Sequence, residues 1–136
     1  MIIVKRAIIN IYNKMIYYGV VAKNTYVIAD YTKYDGDFPT VFQQIINSTE
    51  KTNKITVYTR EEYSYYIRHN TDGFAFGCLA SVLTPTDFAN KFLENLQARV
   101  YAYIDDKACD PSPHATSSVF TKLIKSLIVI YRCLSV

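Results

Sequence analysis

Between Phe38 and Arg60 the spacing of apolar residues changes from that of a helix to that of a strand. Phe38, Val41, Phe42, Ile45 and Ile46 recur at i, i+3, i+4, i+7 and i+8, which gives a helix one apolar face. From Asn53 the period becomes two: Ile55, Val57 and Thr59 alternate with Thr56, Tyr58 and Arg60. An amphipathic helix beside half-buried strands buries both apolar faces only by lying on a sheet, so the chain is an α+β protein.

The other segments extend this pattern. Ile16 to Ala22 and Tyr26 to Tyr34 are rich in Val, Ile and Tyr around a polar break at Lys23-Asn24-Thr25, and predict a hairpin. Asp35-Gly36-Asp37 stops the second strand, and Asp37 is the expected N-cap of the helix, with Pro39 in its first turn. Tyr63 to His69 and Phe74 to Val82 predict two more strands, completing a meander through a turn at His69 to Gly73. Thr86 is the expected cap of a second helix with the stripe Phe88, Ala89, Phe92, Leu93, Leu96, Val100 and Tyr103. After a loop from Asp105 to Pro113, a third helix begins near Ala115, with Val119, Phe120, Leu123, Ile124, Leu127 and Ile128 on one face. The predicted order is β-β-α-β-β-β-α-α, a five-stranded antiparallel sheet flanked by three helices. Gly77, inside a strand, marks a close approach by another element, for which the second helix is the expected neighbour.

With 136 residues, 50% of them hydrophobic and 20% charged, the chain suits one domain with one core. All twelve acidic residues lie between Asp30 and Asp110, whereas Lys5, Arg6, Lys14, Lys122, Lys125 and Arg132 make the two ends basic. No Lys/Arg stripe with interleaved aromatics is present, which argues against nucleic acid as a partner. Cys78, Cys109 and Cys133 are odd in number and widely spaced, so neither a disulfide framework nor a zinc site is expected.

The residue types that carry chemistry form no recognisable site. Cys78 reads as a small buried hydrophobe, and neither His69 nor His114 lies in a motif that would activate it. Asp35/Asp37, Glu61/Glu62 and Asp105/Asp106 read as solvated turn carboxylates. Gly73 to Gly77 precedes a strand, whereas a phosphate cradle opens onto a helix N-terminus. No catalytic, metal or cofactor site is expected, and the function falls to a binding surface.

Four stretches in this order, "IYYGVVAKNTYVIADY", "DFPTVFQQIINS", "NKITVYTREEYSYYIRH" and "FANKFLENLQARV" with "SSVFTKLIKSL", resemble a longin domain. This is the profilin-like N-terminal domain of long R-SNAREs, the synaptobrevin-like vesicle-associated membrane proteins. The resemblance covers roughly Ile16 to Leu127, and Met15 falls about where the family's domain begins. It implies a non-catalytic regulatory domain that controls membrane fusion and SNARE sorting at the cytoplasmic face of vesicle, endosomal or Golgi membranes. Implied partners are a SNARE motif, in cis or in trans, and coat or trafficking adaptors. No cofactor or small-molecule ligand is implied, and membrane association would come from downstream segments or partners. The family's docking groove lies between the first helix and the third strand. Residue by residue, it falls on Phe42, Ile45, Ile46, Ile55 and Val57.

The expected division is an N-terminal extension at 1–14, a longin domain at 15–128 and a C-terminal tail at 129–136. The ending "LIVIYRCLSV" carries no heptad register, so a stand-alone longin-fold subunit of a tethering or coat complex is the alternative reading. A small-molecule sensor would instead need an enclosed pocket lined by Tyr65, Phe74 and Phe76.

Overall fold

The computed structural model describes residues 15–106 and 113–134. The expected extension at 1–14, most of the loop before the third helix with Cys109, the side chain of His114 and residues 135–136 lie outside the described residues. The elements are β1 (Ile16–Lys23), β2 (Tyr26–Tyr31), α1 (Phe38–Ser48), β3 (Ile55–Arg60), β4 (Tyr63–His69), β5 (Phe74–Ser81), α2 (Thr86–Asp106) and α3 (Pro113–Leu134). The five strands form one antiparallel sheet in the order β2-β1-β5-β4-β3. This is the α+β arrangement of five strands and three helices that the hydrophobic periods predict.

The sheet separates two helix layers. On one face α2 and α3 bury Phe92, Leu93, Leu96, Phe120, Ile124 and Leu127 against Val21, Phe76 and Cys78. On the other face α1 lowers Phe42 and Ile46 onto Tyr18, Val20, Leu79, Ile67 and Ala75. Each fully buried Leu, Ile or Phe side chain contributes about 1.5–3 kcal/mol to folding before ordering costs, so these clusters hold the layers together.

Two glycines set how closely the layers approach. A Cβ on Gly19 of β1 would lie 2.5 Å from Cγ2 of Ile124 in α3, and one on Gly77 of β5 would lie 2.8 Å from the Phe42 ring. Gly77 therefore receives α1, not the expected α2. The pleat is the reason, because Phe76 and Cys78 on either side of it point to the α2/α3 face.

The tight hairpin between β1 and β2 turns at Asn24 and Thr25, both with positive φ, at 52° and 71°. Its tip is fastened to the β4–β5 turn by Asn24 N donating to the Gly73 carbonyl (3.0 Å) and by Lys23 Nζ donating to that of Asp72 (2.8 Å). The same turn is tied to α2: Asn70 Nδ2 donates to Gln97 Oε1 (3.0 Å) and to the Tyr101 hydroxyl (2.9 Å), which donates to Asp72 (2.6 Å). Burial, with the bond to Asp72, pushes the Tyr101 phenol up to about 12.

Several boundaries differ from those expected. Asp37 occupies the N-cap position of α1, but its side chain makes no capping bond. Thr86 is the first residue of α2 rather than its cap, and Pro85 O accepts from the amides of Phe88 and Ala89. The assignment of 129–136 as a tail is corrected over 129–134, where α3 continues. Tyr131 is buried there between Phe88 and Phe92, with ring centroids at 5.1 and 5.3 Å, and Asn95 donates to its hydroxyl.

His69 closes the loop between α1 and β3. Its carbonyl accepts from the amides of Thr52 (3.0 Å) and Asn53 (3.1 Å), and its Nδ1 lies 3.1 Å from the Thr49 carbonyl. A carbonyl only accepts, so Nδ1 carries the proton and the buried Nε2 has no partner. Burial holds the ring below the ordinary histidine value of 6.5, with Lys51 acting in the same direction and the Thr49 bond opposing.

Two predictions follow from this packing. Gly77→Ala destabilises the protein by about 1–3 kcal/mol in denaturant unfolding, and adding Phe42→Leu recovers part of the loss. Strict additivity of the two changes would rule out the Phe42 clash. For His69 the folded-state pKa is depressed, so its contribution is complete above pH 6.5 and is lost as pH falls from there through the folded value. His69→Asn, which keeps a donor near the Nδ1 position but does not titrate, shows a shallower fall in unfolding midpoint between neutral and mildly acidic pH. Parallel curves for the two proteins would refute the assignment.

Candidate partner-binding surface

The five residues assigned to the docking groove do not come together. Phe42 and Ile46 are fully buried beneath α1 and offer no surface to a partner. Ile45 is half-buried on the same helix. Ile55 and Val57 project to the opposite side of the sheet. The register pairs Val57 with Tyr66, which belongs to the α2/α3 core, and Ile55 packs against that same core. Period two identifies which residues of a strand share a face but not which face a given helix covers, and this is why the assignment is corrected.

The residues of β3 that do face the α1 side are Thr56 and Tyr58, opposite Ile67 and Tyr65. On α1, Gln43 is fixed toward β2: its Nε2 donates to the Thr25 carbonyl and its Oε1 accepts from Val27 N (3.4 Å). With α1 held that way round, the helical period puts Val41 and Ile45, both half-buried, on the flank toward β3. Tyr65 lies between the two walls, with its ring 5.4 Å from that of Phe42. Val41, Ile45, Tyr65, Thr56 and Tyr58 are the residues that this side of the molecule presents.

Among the described residues, strand β3 is an edge of the sheet, paired with β4 alone. The described helices lie against β1, β2, β4 and β5, and leave β3 largely uncovered on both faces. Val57 is 42% exposed on one face and Tyr58 41% on the other. Lys54 and Arg60 bracket the strand and are exposed. An edge of this kind carries backbone donors and acceptors directed away from its neighbour.

A second feature lies at the other end of α1. Tyr17, Tyr34, Asp35, Phe38 and Tyr63 line a cleft of about 310 Å³. The β1–β5 register shifts between Ile16 and Tyr18, and this bulge turns both Tyr17 and Tyr18 toward the α1 side. Tyr17 meets Tyr34 at 5.5 Å and 79°, and Tyr63 at 5.7 Å and 84°. Thr32 holds the loop in place, donating its hydroxyl to Tyr17 O (2.6 Å) while its Oγ1 accepts from Tyr34 N (3.1 Å). This cleft is not evident from the sequence, because a bulge leaves no compositional mark and the chain has 13 tyrosines.

On α3, Lys122, Lys125, Ser126, Val129 and Ile130 line a shallow depression facing outward. The pocket considered for a small-molecule sensor is not assembled: Phe74 and Phe76 stack at 5.9 Å on the α2/α3 side, whereas Tyr65 lies on the α1 side.

Cys78 is fully buried on the α2/α3 face, where burial pushes its thiol well above the usual range, and the His69 ring lies on the α1 side. Among the described residues no group of three or more His, Cys, Asp or Glu is placed to hold a metal ion. No described helix is long and apolar enough to cross a membrane. A scan against protein-family models finds no match, and a search of curated proteins finds none either.

Proposed function

We propose that the chain is a non-catalytic regulatory domain of the longin type, belonging to a vesicle SNARE, that binds a SNARE motif or a trafficking adaptor along its β3 side. The observation that carries this reading is the open edge of β3, with Val57 and Tyr58 exposed on opposite faces. A polypeptide laid along it gains main-chain hydrogen bonds to β3. It also gains side-chain contacts with Tyr58, Thr56 and the Val41/Ile45 flank of α1. Order of elements supports the family reading, since hairpin, helix, meander and two helices follow one another as in a longin domain. Binding there would control fusion by keeping a SNARE motif from its partners, and sorting by presenting the domain to an adaptor.

A second reading is a stand-alone longin-fold subunit of a tethering or coat complex. It is favoured by the outward face of α3, where Val129 is 45%, Ile130 41% and Leu134 61% exposed. Such a face suits a permanent helix-mediated interface.

The two readings make different predictions for the full chain. Titration with R-SNARE-motif peptides gives saturable binding, and Val57→Ser with Tyr58→Ser weakens it by about 10–100-fold. Both positions are exposed, so the unfolding midpoint stays close to that of the parent. Absence of binding by the parent chain overturns the first reading. For the second, Val129→Glu with Ile130→Glu abolishes a stable complex recovered from cells, and a complex insensitive to that change excludes the α3 face.

A further inference from the structure

We propose that the tyrosine-walled cleft at the start of α1 is a binding site for a cationic side chain, specifically the guanidinium of an arginine on a partner polypeptide. The inference does not depend on the docking role of β3, because the cleft is built from other residues at the other end of α1.

Three observations converge on a cation. First, the walls are aromatic. Tyr17, Tyr34, Tyr63 and Phe38 supply four rings, and those of Tyr34 and Tyr63 stand nearly perpendicular to Tyr17. Ring faces attract cations through the ring quadrupole, and walls at right angles form a partial cage. Second, the carboxylate lining the cleft belongs to Asp35, and Glu62 lies close enough to act electrostatically on Tyr17. Burial, the neighbouring Tyr63 and Tyr34, and Glu62 together raise the Tyr17 pKa, so the phenol stays protonated and its hydroxyl remains a donor and an acceptor. Third, a cation already uses this kind of surface within the molecule: Lys33 Nζ lies 5.4 Å from the centroid of the Tyr34 ring. Neither Lys33 nor Arg60, which pairs with Tyr63 across the β3–β4 ladder, lines the cleft itself.

The site is built rather than incidental. The bulge at Tyr17 aims its ring into the cleft, and the Thr32 hydroxyl fixes the backbone that carries Tyr34. Gly36 allows the Phe38 ring to close the end of the cleft, because a Cβ there would come within 2.8 Å of that ring. Arginine fits better than lysine. Its planar guanidinium stacks on a ring while its donors reach Asp35 and the phenol oxygens, whereas an ammonium is a more strongly hydrated point charge.

The test is an NMR titration of the full chain with acetyl-Gly-Arg-Gly-amide. Parallel titrations use the same peptide carrying citrulline or leucine in place of arginine, and tetramethylammonium chloride. Saturable shifts at Tyr17, Tyr34, Phe38 and Tyr63 are expected with the arginine peptide. They are about tenfold weaker with citrulline, which keeps the shape and loses the charge. Tyr34→Ala and Asp35→Asn, both exposed positions, each reduce the affinity several-fold while the remaining resonances stay in place. The proposal is overturned by equal binding of the citrulline peptide, by tighter binding of the leucine peptide, or by response to tetramethylammonium but not arginine. It is likewise overturned if no saturable shift occurs up to the solubility of the arginine peptide.

Discussion

The close approach of helices to both faces of the sheet depends on two missing side chains. Gly19 and Gly77 lie on the paired strands β1 and β5 and point in opposite directions, one under Ile124 and the other under Phe42. At each, the backbone itself forms the floor of the packing. Protein interiors tolerate neither overlap nor void, so a helix layer seated this low must be matched by the residues around it. Phe42 meets that demand on the α1 side by stacking on Tyr18 at 5.1 Å, and the Tyr18 hydroxyl reaches Asp30 at 2.8 Å. The ring is thereby buried while its polar end keeps a partner.

With the layers placed, polar ties help close the ends of the sheet. At one end the turn around Asn70 to Gly73 is held to α2 through Gln97 and Tyr101, and to the β1–β2 hairpin through Asn24 and Lys23. His69 adds the loop leaving α1. At the other end Thr84 and Met15 exchange bonds of 3.3 and 3.4 Å, joining the start of β1 to the turn before α2. These segments are far apart in sequence, so the ties join parts of the chain that only the folded sheet brings together.

Much of the fold is legible in the residue spacing, and the limits are physical. The stripes Phe92, Leu93, Leu96 and Phe120, Ile124, Leu127 read as helix faces and are buried as such. Cys78 reads as a core residue and is one by burial. The alternation Ile55-Thr56-Val57-Tyr58 identifies a strand, yet which pair meets α1 is decided by the register with β4, a long-range quantity. Gly77 announces a close neighbour without naming it, for the same reason. Tyr131 extends the α3 stripe, at i+4 from Leu127 and i+3 from Ile128, and its fit between Phe88 and Phe92 shows that the helix continues. The Tyr17 bulge, which opens the aromatic cleft, is one residue of slippage within an otherwise ordinary strand. Phe42 and Ile46, helix positions that the resemblance implies for a groove, serve the core.

The two borders of the sheet are not alike. Along β2, Gln43 occupies the Thr25 carbonyl and the Val27 amide, and α1 and α3 both lie against the strand. Along β3 nothing among the described residues does the same. Among the described residues, β3 is therefore the less covered of the two borders. Two copies meeting β3 to β3 would use both of these borders at once. Because that contact joins the same surface of each copy, it would be two-fold symmetric and would close as a pair.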